Sequence, residues 1–575
     1  MKTTPTILAV LWTIGLLTGA PVKSARADES VVNSVHNLSA TGPGSIRALN
    51  EGEVCIFCHT PHNASPQAPL WNRYNPTTYY RIYQSSTTDA RIDQPGGPSK
   101  MCLSCHDGSV ALGMVLSRPP TDPIPMNQPF LTSGRSNLTN DLSDDHPVGF
   151  RFDRQLAARD HQLRSPDLVS QRVKLGERGE MECTACHNPH NNELGDFLRV
   201  TQRQGALCNT CHKMDGWQMS AHALAPRSVP VTVTNGEALP FATMADAACY
   251  SCHTSHNAQH PERLLNDRPS ELCISCHNGL NGRDIQGVLN LRSSHRFNRL
   301  LDLHDPTENH LAMPPHSECV DCHNPHAVRD NPIGSLVPVF EPRGVLVPPP
   351  MEFVKGVTVA GTPTDRARYY YEVCFRCHGD NPVFMQDRIP RQRDNFGNVR
   401  RQFLPTNASL HPVVSPARNS GEVPSLINPL AHQVLSCQSC HNNPDARNLG
   451  GGGPNGPHGS RFDWLLVENY ETADFTMESP QAYALCYRCH DRTSILGDQS
   501  FTFHNRHVVT GRTPCSSCHA PHGVSGSPAN HSALINFDLR IVGGQRRFID
   551  TGRFQGSCTL TCHGVNHVNF TYSNP

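Results

Sequence analysis

The stretch Cys55-Ile56-Phe57-Cys58-His59-Thr60-Pro61-His62 decides how this chain is read. Two cysteines stand three positions apart, a histidine follows the second directly, and another histidine comes three residues later. The Cys-x-x-Cys-His part recurs at Cys102/Cys105/His106, Cys183/Cys186/His187, Cys208/Cys211/His212, Cys249/Cys252/His253 and Cys273/Cys276/His277. It continues at Cys319/Cys322/His323, Cys374/Cys377/His378, Cys437/Cys440/His441, Cys486/Cys489/His490 and Cys515/Cys518/His519. A twelfth copy, Cys558/Cys562/His563, has one extra residue between its cysteines, and all 24 cysteines are then used.

Residues near the N-terminus decide which cysteine chemistry to consider. Lys2, the apolar run from Ile7 to Leu17 and the small-residue site Ala25-Arg26-Ala27 read as an export signal covering 1–27. A retained anchor would need a longer run, no later stretch approaches the roughly 18 apolar residues of a membrane span, and no early cysteine offers a lipid site. The mature chain is expected outside the cytoplasm, in the periplasm, on the outer surface or beyond. In that setting disulfides are the first expectation, but the spacing favours covalent haem. Two thiols add to the two vinyl groups of one porphyrin while the adjacent imidazole reaches the iron, and one helical turn presents all three. With 33 histidines in 575 residues, a His after a cysteine pair arises by chance roughly once in seventeen. Twelve out of twelve excludes chance, and zinc knuckles have no need of that His.

Twelve proximal histidines leave 21 for the opposite faces of the irons, enough for bis-His ligation throughout without any of the 12 methionines. His62, His190, His256, His326 and His522 each follow a motif by three residues. On a helical turn that position shares the side of the motif His, so it must reach a neighbouring haem. His36, His146, His222, His295, His411 and His504 precede alternate motifs. This defines six two-motif units, 28–135, 136–217, 218–290, 291–405, 406–500 and 501–575. In each, the upstream His is expected to cap the first haem and the His after the first motif to cap the second. The fifth unit lacks the second of these, so His432 or His458 must serve, and His316 and His507 rival His295 and His504. His161, His304, His310 and His531 read as surface or hydrogen-bonding residues.

Cys55 to His62, Pro69-Leu70-Trp71-Asn72-Arg73, Cys102 to Gly108 and His146-Pro147-Val148-Gly149-Phe150 together resemble the doubled Cys-x-x-Cys-His cytochromes, a family that includes outer-surface multihaem cytochromes of metal-respiring bacteria. The resemblance is close over residues 30–330 and looser afterwards. It implies low-spin bis-His haems in a chain and, in some members, conductive polymers with an axial His donated across the subunit boundary.

The expected fold is mostly coil with short α-helices and a few small β-hairpins, six two-haem units in which porphyrin replaces the usual core. Only 37% of residues are hydrophobic and 6% aromatic, and 48 are proline, which favours irregular backbone and short elements. Residues 354–359 read as one hairpin strand within an insert, and joints rich in Pro or Gly lie at 117–129, 331–350 and 449–459. A formal charge of −1 gives no electrostatic case for nucleic acid. Arg outnumbers Lys 43 to six, which suits propionate recognition as well as it suits codon bias. The functional expectation is electron transport through about twelve haem c groups, with extracellular acceptors or other multihaem cytochromes as partners and a homopolymer as one form. A multihaem reductase with one open iron is the alternative, placed either at the fifth unit or at the irregular last motif.

Overall fold

The computed structural model describes residues 30–574 except 67–68, 133, 230–240, 298–303, 330–338, 385–388, 394–396, 417–422 and 428–433. Residues 1–27, which the sequence reads as an export signal, and His432 lie outside the described residues. Coil dominates, and no helix among the described residues is long and apolar enough to cross a membrane. Each of the first eleven motifs lies in or against a helical turn. Even-numbered motifs tend to close a longer one: Gly97–His106 starts with Pro98 in its first turn and ends on the motif His, where a missing N–H costs nothing. Tyr370–His378 is capped by Glu372, whose carboxylate accepts from the N–H groups of Arg368 and Tyr369 at 2.7 and 3.1 Å.

Odd-numbered motifs occupy a single turn, as at Cys55–Phe57, Cys183–Cys186 and Cys437–Ser439. The helix stops there. His187 and His323 already have extended backbone, so the histidine three residues on is not carried on the same helical face. Instead the chain runs out, turns and comes back to bridge the motif His, pairing His59 with Trp71, His187 with Leu198, His253 with Leu265, His441 with Leu466 and His519 with Ile535.

Sheet structure is mostly two-residue pairs. Several join distant segments: Phe150–Arg151 with Glu180–Met181, Ser293–Ser294 with Gly459–Ser460, and Ser409–Leu410 with Gly523–Val524. Gly356–Val357 pairs with Pro363–Thr364, forming a hairpin in the insert where the sequence pointed to one. The exception is an antiparallel sheet of Val542–Gly552, Gln555–Cys562 and Val565–Ser573. It carries the twelfth motif on a strand, where the other motifs lie on helical turns. Cys558, Leu560 and Cys562 alternate with Thr559 and Thr561, a period-two pattern with β-branched residues that favours a strand. The inward set packs on Phe537, Val542 and Phe548.

Buried hydrophobics form separate small clusters. One holds Phe150, Phe152, Leu156, Met181 and Ala185; another holds Val357, Tyr371, Phe375, Phe403, Leu410, Val413 and Val414. A continuous cavity of about 3750 Å³ separates the cluster walls from Val31 to His458. A wall built around so large an interior cannot be held by its own apolar contacts. Chain expressed without haem-attachment machinery is therefore expected to give no cooperative melting transition by calorimetry; a sharp transition in haem-free protein would contradict this.

Candidate haem-attachment sites

Both cysteines and the histidine of each of the first eight motifs line the cavity, together with His36, His146, His190, His222, His256, His295, His326 and His458. Shared among eight motifs, its volume gives each several hundred Å³, the scale of a site for one organic molecule. The histidines test whether haem fits. Imidazole nitrogens bind metals at about 2.0–2.1 Å and the ring centre lies about 1 Å beyond, so two rings on opposite sides of one iron have centroids about 6 Å apart. Nine motif histidines face a second histidine at this distance. The pairs are His59–His190 at 6.0 Å, His106–His36 at 6.1 Å, His187–His256 at 6.1 Å, His212–His146 at 6.4 Å and His253–His326 at 6.1 Å. They continue with His277–His222 at 6.3 Å, His323–His458 at 6.0 Å, His378–His295 at 6.1 Å and His441–His522 at 6.2 Å. His490 has His411 as its neighbour, and His519 has His504.

These pairs reverse the expected assignment. The upstream His faces the second motif of its unit, and the His after a first motif faces the first motif of the preceding unit. The cause is the early end of the helical turn: once the chain is extended at the motif His, the next histidine is carried away from its own unit. His458 takes this role for the fifth unit. His62, which has no preceding unit, is exposed. His304 and His316 belong to neither series, and their rings face one another elsewhere.

Hydrogen bonds at Nδ1 orient the rings and leave Nε2 for iron, as in metal sites where a partner fixes the tautomer. His187, His253, His441 and His519 use the carbonyls of Asp196, Arg263, Trp464 and Ala533 at 2.7 to 2.9 Å. Each of these acceptors, and the residue after it, is a non-glycine residue at positive φ, between 46° and 62°. Such backbone costs on the order of 1–3 kcal/mol per residue and persists where its surroundings demand it. Here the repeated demand is to aim a carbonyl at the motif imidazole.

A second device ties the opposite ligands together. His222, His295 and His411 hydrogen-bond through Nδ1 to the carbonyls of Pro325, Pro457 and Pro521, the first two at 2.9 and 2.8 Å. Pro189 plays the same part for His36. Each proline immediately precedes a facing histidine, His326, His458, His522 or His190, so one bond links the two histidines that face the two motif imidazoles of a unit. Pro-His was visible in the sequence, and Gly456-Pro457-His458 would have settled the fifth unit.

Burial holds these imidazoles neutral, the form that binds metal. His36, His212, His378 and His490 are lowered to about 4, and His326, His458, His504 and His522 to about 3, in each case chiefly by desolvation and then by neighbouring histidines.

Neighbouring thiols give the order of the motifs. Second cysteines adjoin within a unit: Cys58 with Cys105, Cys186 with Cys211, Cys252 with Cys276, Cys322 with Cys377 and Cys440 with Cys489. First cysteines adjoin between units: Cys102 with Cys183, Cys208 with Cys249, Cys273 with Cys319, Cys374 with Cys437 and Cys486 with Cys515. Cys518 adjoins Cys558 and Cys562. The row follows the sequence without a skip.

The twelfth motif departs from the others. His563 sits at φ 49°, bonds Asp474 Oδ1 through Nε2 at 2.8 Å and stacks on Phe475, so its Nε2, the atom expected to reach the iron, is engaged by a carboxylate in this structure. At about 3.3 Å per residue, a strand separates the Cα atoms of Cys558 and Cys562 by about 13 Å, a wider spacing than one helical turn gives the other motifs. The histidine on their face is His567, opposite Leu560, and its ring faces His507 at 6.2 Å. Sequence reading held His507 as a rival and missed His567.

No curated protein matches the chain. Residues 177–216 and 241–282, which span the third to sixth motifs, match the family model of the doubled CXXCH motif, and with it the chain carries the paired haem-attachment sequence of multihaem c-type cytochromes.

Proposed function

We propose that this protein is an electron conduit of twelve bis-His haems arranged in sequence order. The carrying observation is the thiol row, in which each motif adjoins the next, second cysteines within a unit and first cysteines between units. Electron hopping needs such an unbroken series. Two imidazoles per iron, with no methionine, favour low potentials, suited to passing electrons outward. The export signal supports work outside the cytoplasm, toward extracellular acceptors or partner cytochromes. Twelve haems would add about 24 propionate charges, so the holoprotein is far more acidic than its formal −1 and its arginines have anions to pair with.

The reductase alternative needs an iron with a free position. At the two irregular places a second histidine stands opposite, His522 before His441 and His567 before His507, which supports the conduit over the reductase. The same pairing favours a self-contained conduit over a polymer held by donated ligands, because His62 of one copy has no iron in another that lacks a second histidine. His62→Ala is expected to leave both the low-spin spectrum and the oligomeric state unchanged; loss of filaments or a new high-spin signal would restore the polymer reading.

The backward assignment predicts that His458→Ala opens the seventh haem, read as one high-spin, carbon monoxide-binding haem per chain, whereas a substitution at an exposed histidine outside every facing pair, His161→Ala, opens none. An unchanged spectrum in His458→Ala would refute it.

At the C-terminal sheet the twelfth haem is held by His507 and His567 and by a single thioether. One of Cys558→Ala and Cys562→Ala should therefore lose one haem from the denatured intact mass. Retention of all twelve haems in both variants would mean two thioethers and a rearranged motif.

A further inference from the structure

Away from the haem ligands, His304, Glu308, His316 and Asp321 bring one ligand atom each to within 4.8 Å of one another. Asp321 lies between the two cysteines of the seventh motif, and Arg376, between those of the eighth, closes the cluster. All five side chains are at most 8% exposed. His304 Nδ1 lies 3.4 Å from Glu308 Oε1 and 3.0 Å from Asp321 Oδ1, and His316 Nε2 lies 3.4 Å from Glu308 Oε2 and 3.5 Å from Asp321 Oδ2.

A buried ion-pair network is the simpler account, and two observations go against it. His316 Nε2, on a side chain 1% exposed, makes no hydrogen bond, and neither does Glu308 Oε2 facing it. They face each other at 3.4 Å, within ion-pair reach but outside hydrogen-bond geometry, so each lacks the hydrogen bond a buried polar atom normally makes. Second, each of the four residues brings one ligand atom within 4.8 Å of the other three, so that small side-chain shifts let one ion bind all of them at about 2.0–2.2 Å. The surroundings also fit. His316 Nδ1 bonds the Pro314 carbonyl at 2.8 Å, leaving Nε2 as the ligand atom, while Arg376 takes Glu308 Oε1 and, at 3.1 Å, Asp321 Oδ1.

We propose that His304, Glu308, His316 and Asp321 bind one divalent transition-metal ion of the zinc class, set at the junction of the seventh and eighth haem-attachment motifs. Two imidazoles and two carboxylates suit that class rather than magnesium or calcium, which take oxygen ligands. The site does not depend on the haem reading. Where haems are present, its added positive charge beside Asp321 stabilises their reduced forms.

The test uses holoprotein stripped with a strong chelator, reloaded with Zn²⁺, desalted and analysed for zinc and iron by mass spectrometry. One zinc per chain is expected to remain in the wild type and in His161→Ala. His316→Ala and Glu308→Gln should each bind it more than tenfold more weakly, with an unchanged haem mass and low-spin spectrum showing that the fold survives. Zinc loading should also raise the midpoint potential of a subset of haems in the wild type alone. Wild type that retains no zinc, or zinc lost equally on His161→Ala, overturns the proposal, and the first measurement needs no variant. Haem count and zinc content are read separately, so failure of one leaves the other standing.

Discussion

The requirement from which the rest follows is that two imidazoles stand on opposite sides of one iron, about 6 Å apart between ring centres. The motif brings only one. The second has to come from a different segment, held to the same tolerance by something other than the metal bond. The chain meets this with hydrogen bonds at Nδ1. A ring hinged at one nitrogen by a carbonyl has little freedom left at the other, so much of the ordering is done by the polypeptide before the iron is counted.

Because each opposite ligand comes from elsewhere, the units are interleaved rather than strung together. His190 crosses back to His59 and His36 forward to His106, while the Pro189 carbonyl ties the two crossing ligands. The same knot returns with His222, Pro325 and His326 across 103 residues, and with His411, Pro521 and His522 across 110. Loop closure over such lengths is entropically unfavourable, though only logarithmically so, and the apolar clusters are too small to oppose it alone. Attached porphyrin supplies both the missing core and the fixed points on which the crossings close, which makes folding and loading one process.

How much of this could be read from sequence follows from where the information lies. Attachment is local: Cys, Cys and His must meet within one turn, so spacing alone identified eleven regular motifs and the two-motif period. The opposite ligand is a long-range choice, and spacing identified the candidates without saying which neighbour each would serve. The assumption that His190 continues a helical face pointed inward to its own unit. The extended backbone at His187 sends it outward instead. The left-handed pairs such as Asp196-Phe197 and Trp464-Leu465 left little signature, since of these residue types only Asp is enriched at positive φ. The cluster at His304 was hidden for a related reason. Its four ligands all lie within residues 304–321, and no regular element joins them to signal in the sequence that they converge.

The direction of donation has a consequence at the two ends. If each unit sends a histidine back to the one before it, a finite row has one histidine too many at its start and one iron short of a ligand at its finish. His62 is that surplus, exposed beside the first motif. At the other end the eleventh motif has no successor, and His504, which the repeat would have sent to the twelfth, lies beside His519 instead. The twelfth position is then left without its usual ligand. This is where the chain abandons the repeat for a three-stranded sheet, whose last strand returns His567 to the face of Cys558 and Cys562 and opposite His507. The sheet thus supplies what a seventh unit would have provided, and the irregular cysteine spacing belongs to the strand that makes this possible.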